Sequence, residues 1–282
     1  MRIIFFGTSE FGAIILEKLI QASYSPVLVV TTPDKPAGRK QVLTPPPVKV
    51  FAKTHGLEVF QPEKFDKDAL YKIQNTSPDL FVVAAYGKIL PKALLDIPPK
   101  GSLNVHPSLL PKYRGPSPVQ AALLNGDQET GVSIIVLDEK MDHGPILAVE
   151  RLSMQKNYTY SELHNMLAEL GGNLLIRTIP LWAEGKIQAK AQDEARATYT
   201  KMITWKDGRI DWGKPAEYIE RQIRAFNPEP GTYTFYREQV LKIRKAELRD
   251  NKLVMREVQL AGKKPMSFED FLRGHQDYAN PQ

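Results

Sequence analysis

Two residues with complementary chemistry stand two positions apart in Ser102-Leu-Asn-Val-His106, where Asn104 offers an amide and His106 an imidazole. In extended backbone alternate side chains share a face, so Asn104 and His106 would look one way while Leu103 and Val105 fill the other. The run breaks at Pro107 into the loop Pro-Ser-Leu-Leu-Pro111-Lys-Tyr-Arg-Gly115, which puts the pair at a strand end. Open parallel sheets bind ligands there, beyond the carboxyl ends of their strands. A second apolar run, Gly131–Leu137, ends in a polar turn carrying Asp142 just before Gly144. A carboxylate delivered from a neighbouring strand end could hold the imidazole in one tautomer and stabilise its charged form, the logic of a base with its orienting group. On the residues alone, the alternative in which Asn104 caps a turn and His106 is a satisfied buried histidine stays open.

The elements that must position these groups are legible from the apolar pattern. Met1–Gly7 reads as a buried first strand, followed by a glycine turn and a helix over Ile14–Ile20. Further strands are expected at 26–32, 57–60 and 80–84, with short helices at 48–54 and 66–74. The continuity of Leu80-Phe-Val-Val-Ala84 suits a sheet covered on both faces. The fold class expected is therefore α/β, a Rossmann-like, mostly parallel sheet with helices on both faces. Gly7 and Gly12 do not complete Gly-x-Gly-x-x-Gly, because the middle glycine that admits a pyrophosphate is missing. That argues against a dinucleotide-dependent oxidoreductase on the same fold.

The run Asn104-x-His106-x-Ser-Leu-Leu-Pro111-x-Tyr-Arg-Gly115, with Glu129-Thr-Gly131-Val and Met141-Asp142-x-Gly144, resembles the signature of the folate-dependent formyltransferases. Ile223-Arg-Ala-Phe-Asn-Pro228 and Ala261-Gly-Lys-Lys-Pro-Met266 extend the likeness over nearly the whole chain. The resemblance implies transfer of a formyl group from 10-formyltetrahydrofolate to the α-amine of initiator methionyl-tRNA, in translation initiation. It implies Asn104, His106 and Asp142 as catalytic residues, with Asn104 and protonated His106 stabilising an oxyanion. Folate would be held by the turns Tyr86-Gly87-Lys88-Ile89-Leu90 and Ser108-Leu109-Leu110-Pro111. The long loop 32–49, whose prolines and glycines are read as forbidding regular structure, resembles the arm that enters the tRNA acceptor end, with Lys35, Arg39 and Lys40 as contacts.

Past a long helix over Ser161–Trp182, capped at Ser161, residues 183–208 lose hydrophobicity and read as a linker. The remaining strands, 232–236, 239–246 and 252–259, resemble the small oligonucleotide-binding-type domain of that family. Between Ala246 and Leu260 there is sequence for one strand where the family usually has an extra hairpin, so the barrel is expected to be trimmed. The division expected is 1–182 catalytic, 183–208 linker and 209–282 tRNA-binding.

Composition bounds the rest. The chain has 282 residues, 42% hydrophobic, no cysteine and a net charge of +6. Absence of cysteine excludes disulfides and thiol chemistry, and the five histidines show no spacing for a closed metal site. Residues 201–282 hold 16 Lys and Arg against 12 Asp and Glu, the more basic part per residue. With no signal-peptide pattern and no apolar run of roughly 18 residues, a cytoplasmic monomer with no membrane contact is expected. A formyltransferase acting on an amino-sugar nucleotide and a non-catalytic RNA-binding module are the rival readings. The basic proline-rich loop and β-rich tail weigh against the first, and the intact Asn/His/Asp set against the second.

Overall fold

The apolar runs of the first half come together in one sheet. A computed structural model describes residues 1–38 and 41–278. The chain runs through β1 (Ile3–Gly7), α1 (Glu10–Gln21), β2 (Leu28–Val30), β3 (Lys35–Ala37), β4 (Val42–Thr44), α2 (Pro47–Thr54), β5 (Val59–Phe60), α3 (Lys67–Asn75) and β6 (Leu80–Ala84). It continues with α4 (Lys92–Leu95), β7 (Ser102–His106), α5 (Pro118–Asn125), β8 (Glu129–Val136), β9 (Ile146–Ser153) and α6 (Tyr160–Ala183). Sheet order is β5-β2-β1-β6-β7-β8-β9, parallel from β5 to β7, with β8 antiparallel to β7.

Every residue of β1, β6 and β7 is buried, as strands covered on both faces require. Ile4, Phe6, Phe81, Val83 and Leu94 form one core cluster, and each such side chain removed from water contributes about 1.5–3 kcal/mol. Strand order turns at β1, with β2 and β5 to one side and β6 and β7 to the other. This is the switch point of an open α/β sheet, and β7, paired to β6, carries Asn104 and His106 one strand further along the same edge. A Cβ at Gly12 would come within 2.7 Å of the Ala84 carbonyl oxygen, so this glycine serves the close approach of α1 to β6.

Several local expectations need correcting. The loop 32–49 is not wholly irregular: β3 and β4 pair as an antiparallel hairpin with Pro36 opposite Leu43. Proline is tolerated in so short a ribbon wherever its missing N–H is not asked for. The long helix is capped by Thr159, not Ser161. Glu162 accepts from the Thr159 amide and hydroxyl at 2.9 and 2.7 Å, a reciprocal cap. No helix among the described residues is long and apolar enough to cross a membrane.

By contacts the chain divides into two compact units, Met1–Pro116 with Thr130–Leu152 and His164–Tyr199, and Ser117–Glu129 with Ser153–Leu163 and Thr200–Gln282. The expected linker is thereby split. Residues 190–199 belong to the first unit, with Lys190 bridging Ile146 and Tyr199 bridging Arg114. In the second unit α7 (Ala216–Phe226) precedes β10 (Thr232–Tyr236), β11 (Gln239–Arg249), β12 (Lys252–Leu260), β13 (Met266–Ser267) and α8 (Phe268–Gly274). The four strands form an antiparallel sheet in chain order, with Ile219, Ile223, Leu241, Ile243, Val258 and Phe271 in its core. Asp250 and Asn251, both at positive φ, turn β11 directly into β12. Two residues suffice where a longer excursion was expected in the family.

Candidate active site

β7 presents its two polar side chains as strand periodicity requires. Asn104 is 9% exposed and His106 4%, and both converge on one oxygen of Asp142. Asn104 Nδ2 donates to Asp142 Oδ1 at 3.3 Å, and His106 Nδ1 lies 3.5 Å from the same atom. Asp142 Oδ2 accepts from the backbone N–H of Gly115 at 2.7 Å. On its other side the imidazole Nε2 meets the Tyr113 carbonyl oxygen at 2.9 Å. A carbonyl can only accept, so Nε2 carries the hydrogen.

The turn that carries Asp142 is tightly specified. Asp142 sits at φ 49°, a left-handed conformation that aspartate tolerates better than most residues. Two residues on, a Cβ at Gly144 would fall 1.8 Å from the Val136 carbonyl oxygen, so only glycine lets the turn fold back onto β8. Asn104, His106 and Asp142, drawn from two separate stretches of sequence, are thus brought into one cluster.

The two turns expected to hold folate follow adjacent parallel strands. After β6, Tyr86 and Leu90 sink into the core, and burial pushes the Tyr86 hydroxyl up to about 12, with no hydrogen-bond partner for it among the described residues. Gly87 turns at φ 79°, Ile89 stands 74% exposed, and Lys88 Nζ is held by the carbonyls of Pro62 and Glu63 at 3.0 and 2.8 Å. The N–H groups of Gly87, Lys88 and Ile89 have no backbone partner among the described residues. After β7, the turn Ser108–Pro111 is pinned by Ser133 of β8, whose hydroxyl donates to the Ser108 carbonyl at 2.8 Å and accepts from the Leu110 N–H at 3.1 Å. Leu109 and Pro111 belong to this turn.

Of the expected tRNA contacts, Lys35 is exposed on β3, while Arg39 and Lys40 lie outside the described residues. The loop is less uniformly basic than its sequence suggests, since Lys49 pairs with Asp34 at 2.7 Å. Among the described residues, no group of three or more His, Asp or Glu could hold a metal ion.

Sequence reasoning missed the supports of the Asp142 turn. Arg114, whose side chain is fully buried, donates to Gln192 Oε1 from Nε and Nη2 at 3.0 and 2.8 Å and to Glu194 from Nη1 and Nη2 at 3.0 and 2.6 Å. Hydrogen bonding to Glu194 raises the Arg114 pKa, and the same bonds lower that of Glu194. Gln192 Nε2 donates in turn to the carbonyls of Asp142 and Gly144 at 2.8 and 2.7 Å. A polar glutamine in a polar stretch offers no periodic signal, although an arginine inside an otherwise loop-like motif was visible.

An amide and an imidazole that converge on one carboxylate at the carboxyl end of a parallel strand can stabilise a developing oxyanion and move a proton. The formyl transferase family model matches residues 1–179 and that of the formyl transferase C-terminal domain matches 202–253. Methionyl-tRNA formyltransferase of Chloroflexus aggregans is 50% identical over 247 residues, 87% of this chain and 80% of that protein. The enzyme of the same name from Herpetosiphon aurantiacus is 43% identical over 302 aligned positions, 98% of this chain and 99% of that protein. Among solved structures, methionyl-tRNA formyltransferase from Clostridium thermocellum superposes with a TM-score of 0.61 at 18% identity, over 92% of this chain and 98% of that one. A sugar N-formyltransferase from a Shewanella species reaches 0.68 at 16% identity, over 89% and 99%, so the fold alone does not choose the acceptor. The chain belongs to the formyl transferase family and groups by sequence with its methionyl-tRNA formyltransferases. The Herpetosiphon alignment spans more positions than the 282 residues present here, so that relative carries residues without counterpart in this chain.

Proposed function

We propose that the chain transfers the formyl group of 10-formyltetrahydrofolate to the α-amine of methionine esterified to initiator tRNA. The observation that carries this reading is the convergence of Asn104 Nδ2 and His106 Nδ1 on a single oxygen, Asp142 Oδ1. Asn104 Nδ2 has a second hydrogen to give to a formyl oxygen placed beside Asp142 Oδ1, and a charged His106, 3.5 Å from that carboxylate oxygen, can share its Nδ1–H with the same position, where negative charge builds as the amine attacks. Asn104 and His106 supply that stabilisation, and Asp142 holds the ring and takes up, directly or through water, the proton the amine loses. An α-amine titrates near roughly 7.7–8.0, so no strong base is required. The turns 86–90 and 108–111 would hold the folate, the first through its unpaired backbone donors. Lys35, Arg39 and Lys40 would meet tRNA phosphates, and residues 209–282 would contribute further RNA contact.

Identity of 40–50% over most of the chain to proteins named for methionyl-tRNA favours a tRNA acceptor over an amino-sugar nucleotide, whereas the solved structures do not separate the two, at 18% for the methionyl-tRNA enzyme and 16–19% for the sugar enzymes. The test is transfer of labelled formyl from 10-formyltetrahydrofolate in parallel to Met-tRNA, uncharged tRNA and an amino-sugar nucleotide. Label on Met-tRNA alone is expected. Label on the sugar nucleotide alone would overturn the reading.

A further inference from the structure

The structure points to Gln192 as a positioning residue of the transfer reaction, which we infer from its place between a buried cation and the turn that carries Asp142; the inference rests on the catalytic reading of Asp142 above. Its amide orientation is dictated by its neighbours. Arg114 has only hydrogens to give and the carbonyls of Asp142 and Gly144 only lone pairs, so Oε1 must face the guanidinium and Nε2 the turn. The amide thus relays a fixed cation to two carbonyls that flank His143, one of them Asp142's own. Glu194 closes the brace from the far side, bonded to Arg114 and 3.5 Å from His143 Nε2. Asp142 holds its left-handed backbone because the turn is gripped at the Asp142 carbonyl, the Gly144 carbonyl and the carboxylate, the last by the Gly115 N–H.

A carboxylate at 192 separates this role from mere packing. Gln192→Glu keeps the shape and the contact with Arg114, but it faces two carbonyl oxygens with an acceptor, and the turn loses its grip. Gln192→Met removes both ends of the relay while leaving Arg114 its bonds to Glu194 and Tyr199. Displacing a reacting group by about 1 Å can cost on the order of 10²-fold in rate. Both variants should lower kcat for formyl transfer by roughly 30- to 100-fold while KM for Met-tRNA and for 10-formyltetrahydrofolate moves less than about threefold. In an Asp142→Asn background, measured by single turnover with thermal melts confirming folded protein, Gln192→Glu should cost less than about threefold more, because a residue acting through Asp142 has nothing left to position. Equal losses in both backgrounds, or a near-wild-type kcat for Gln192→Glu and Gln192→Met, would overturn the assignment. Wild-type turnover by Asp142→Asn would instead overturn the reading on which it rests.

Discussion

Asp142 Oδ1 receives a hydrogen bond from the Asn104 amide and faces an imidazole nitrogen of His106, and the site can be tested at a donor and at the backbone that carries the carboxylate. Asn104→Asp replaces a donor 3.3 Å from that oxygen with a second carboxylate. Turnover should fall on the order of 10²–10³-fold, the cost of losing one donor to a developing oxyanion, with folate binding retained. Single-turnover rates at saturating substrate read this directly, and a rate within a few-fold of wild type would remove Asn104 from the chemistry. Gly144→Ala attacks the same site through the backbone, since the added methyl must displace the turn from the Val136 carbonyl. It should abolish transfer while the sheet keeps its far-UV signature. Asn104 and His106 were legible because period two puts them on one face, and Asp142 because it follows a buried strand. Gln192 was not, because its importance comes from a bond to Arg114, 78 positions away.

Among elements, the sequence was clearest where apolar continuity was strong, as in β6, and weakest where turn chemistry decided the outcome. The β3–β4 hairpin was missed because its prolines argued against strand, whereas the short connection at Asp250-Asn251 agrees with the single strand's worth of sequence expected after Ala246. The 3₁₀ turn Trp205–Gly208 supplies a test of a cap. Asp207 accepts from Lys201 Nζ at 2.6 Å and from the Thr204 N–H and hydroxyl at 2.8 Å, and these bonds hold its carboxyl down at about 2. Its folded pKa is lowered, so the stability it contributes is present above the ordinary carboxylate value of 3.8 and is lost as pH falls through about 2. Asp207→Asn should therefore destabilise the protein at neutral pH and flatten its loss of stability between about pH 4 and pH 2. Urea midpoints across that range would show it, and parallel curves for wild type and variant would deny the cap its role.

At the level of the molecule, the linear division into catalytic region, linker and tail was only partly legible, because the chain enters its second compact unit at 117, 153 and 200. The short segments 117–129 and 153–163 carry no composition shift that would separate them from their neighbours. A net charge of +6, denser after residue 200, gives a polyanionic substrate a long-range attraction that a small folate does not share to the same degree. Each phosphate neutralised by Lys or Arg releases counterions, so binding falls with a slope of about −0.9 per contact in log salt for a duplex. If tRNA is held through about four such contacts, raising monovalent salt from roughly 50 to 200 mM should weaken it about 10²-fold, seen as a rise in KM for Met-tRNA. The KM for 10-formyltetrahydrofolate should move several-fold at most over the same range. Lys35→Glu should then shift the tRNA KM upward at low salt and reduce the salt slope by about one or more, leaving kcat in place. A tRNA KM indifferent to salt would mean that the acceptor is recognised without its backbone, and the basic hairpin and tail would lose the role assigned to them.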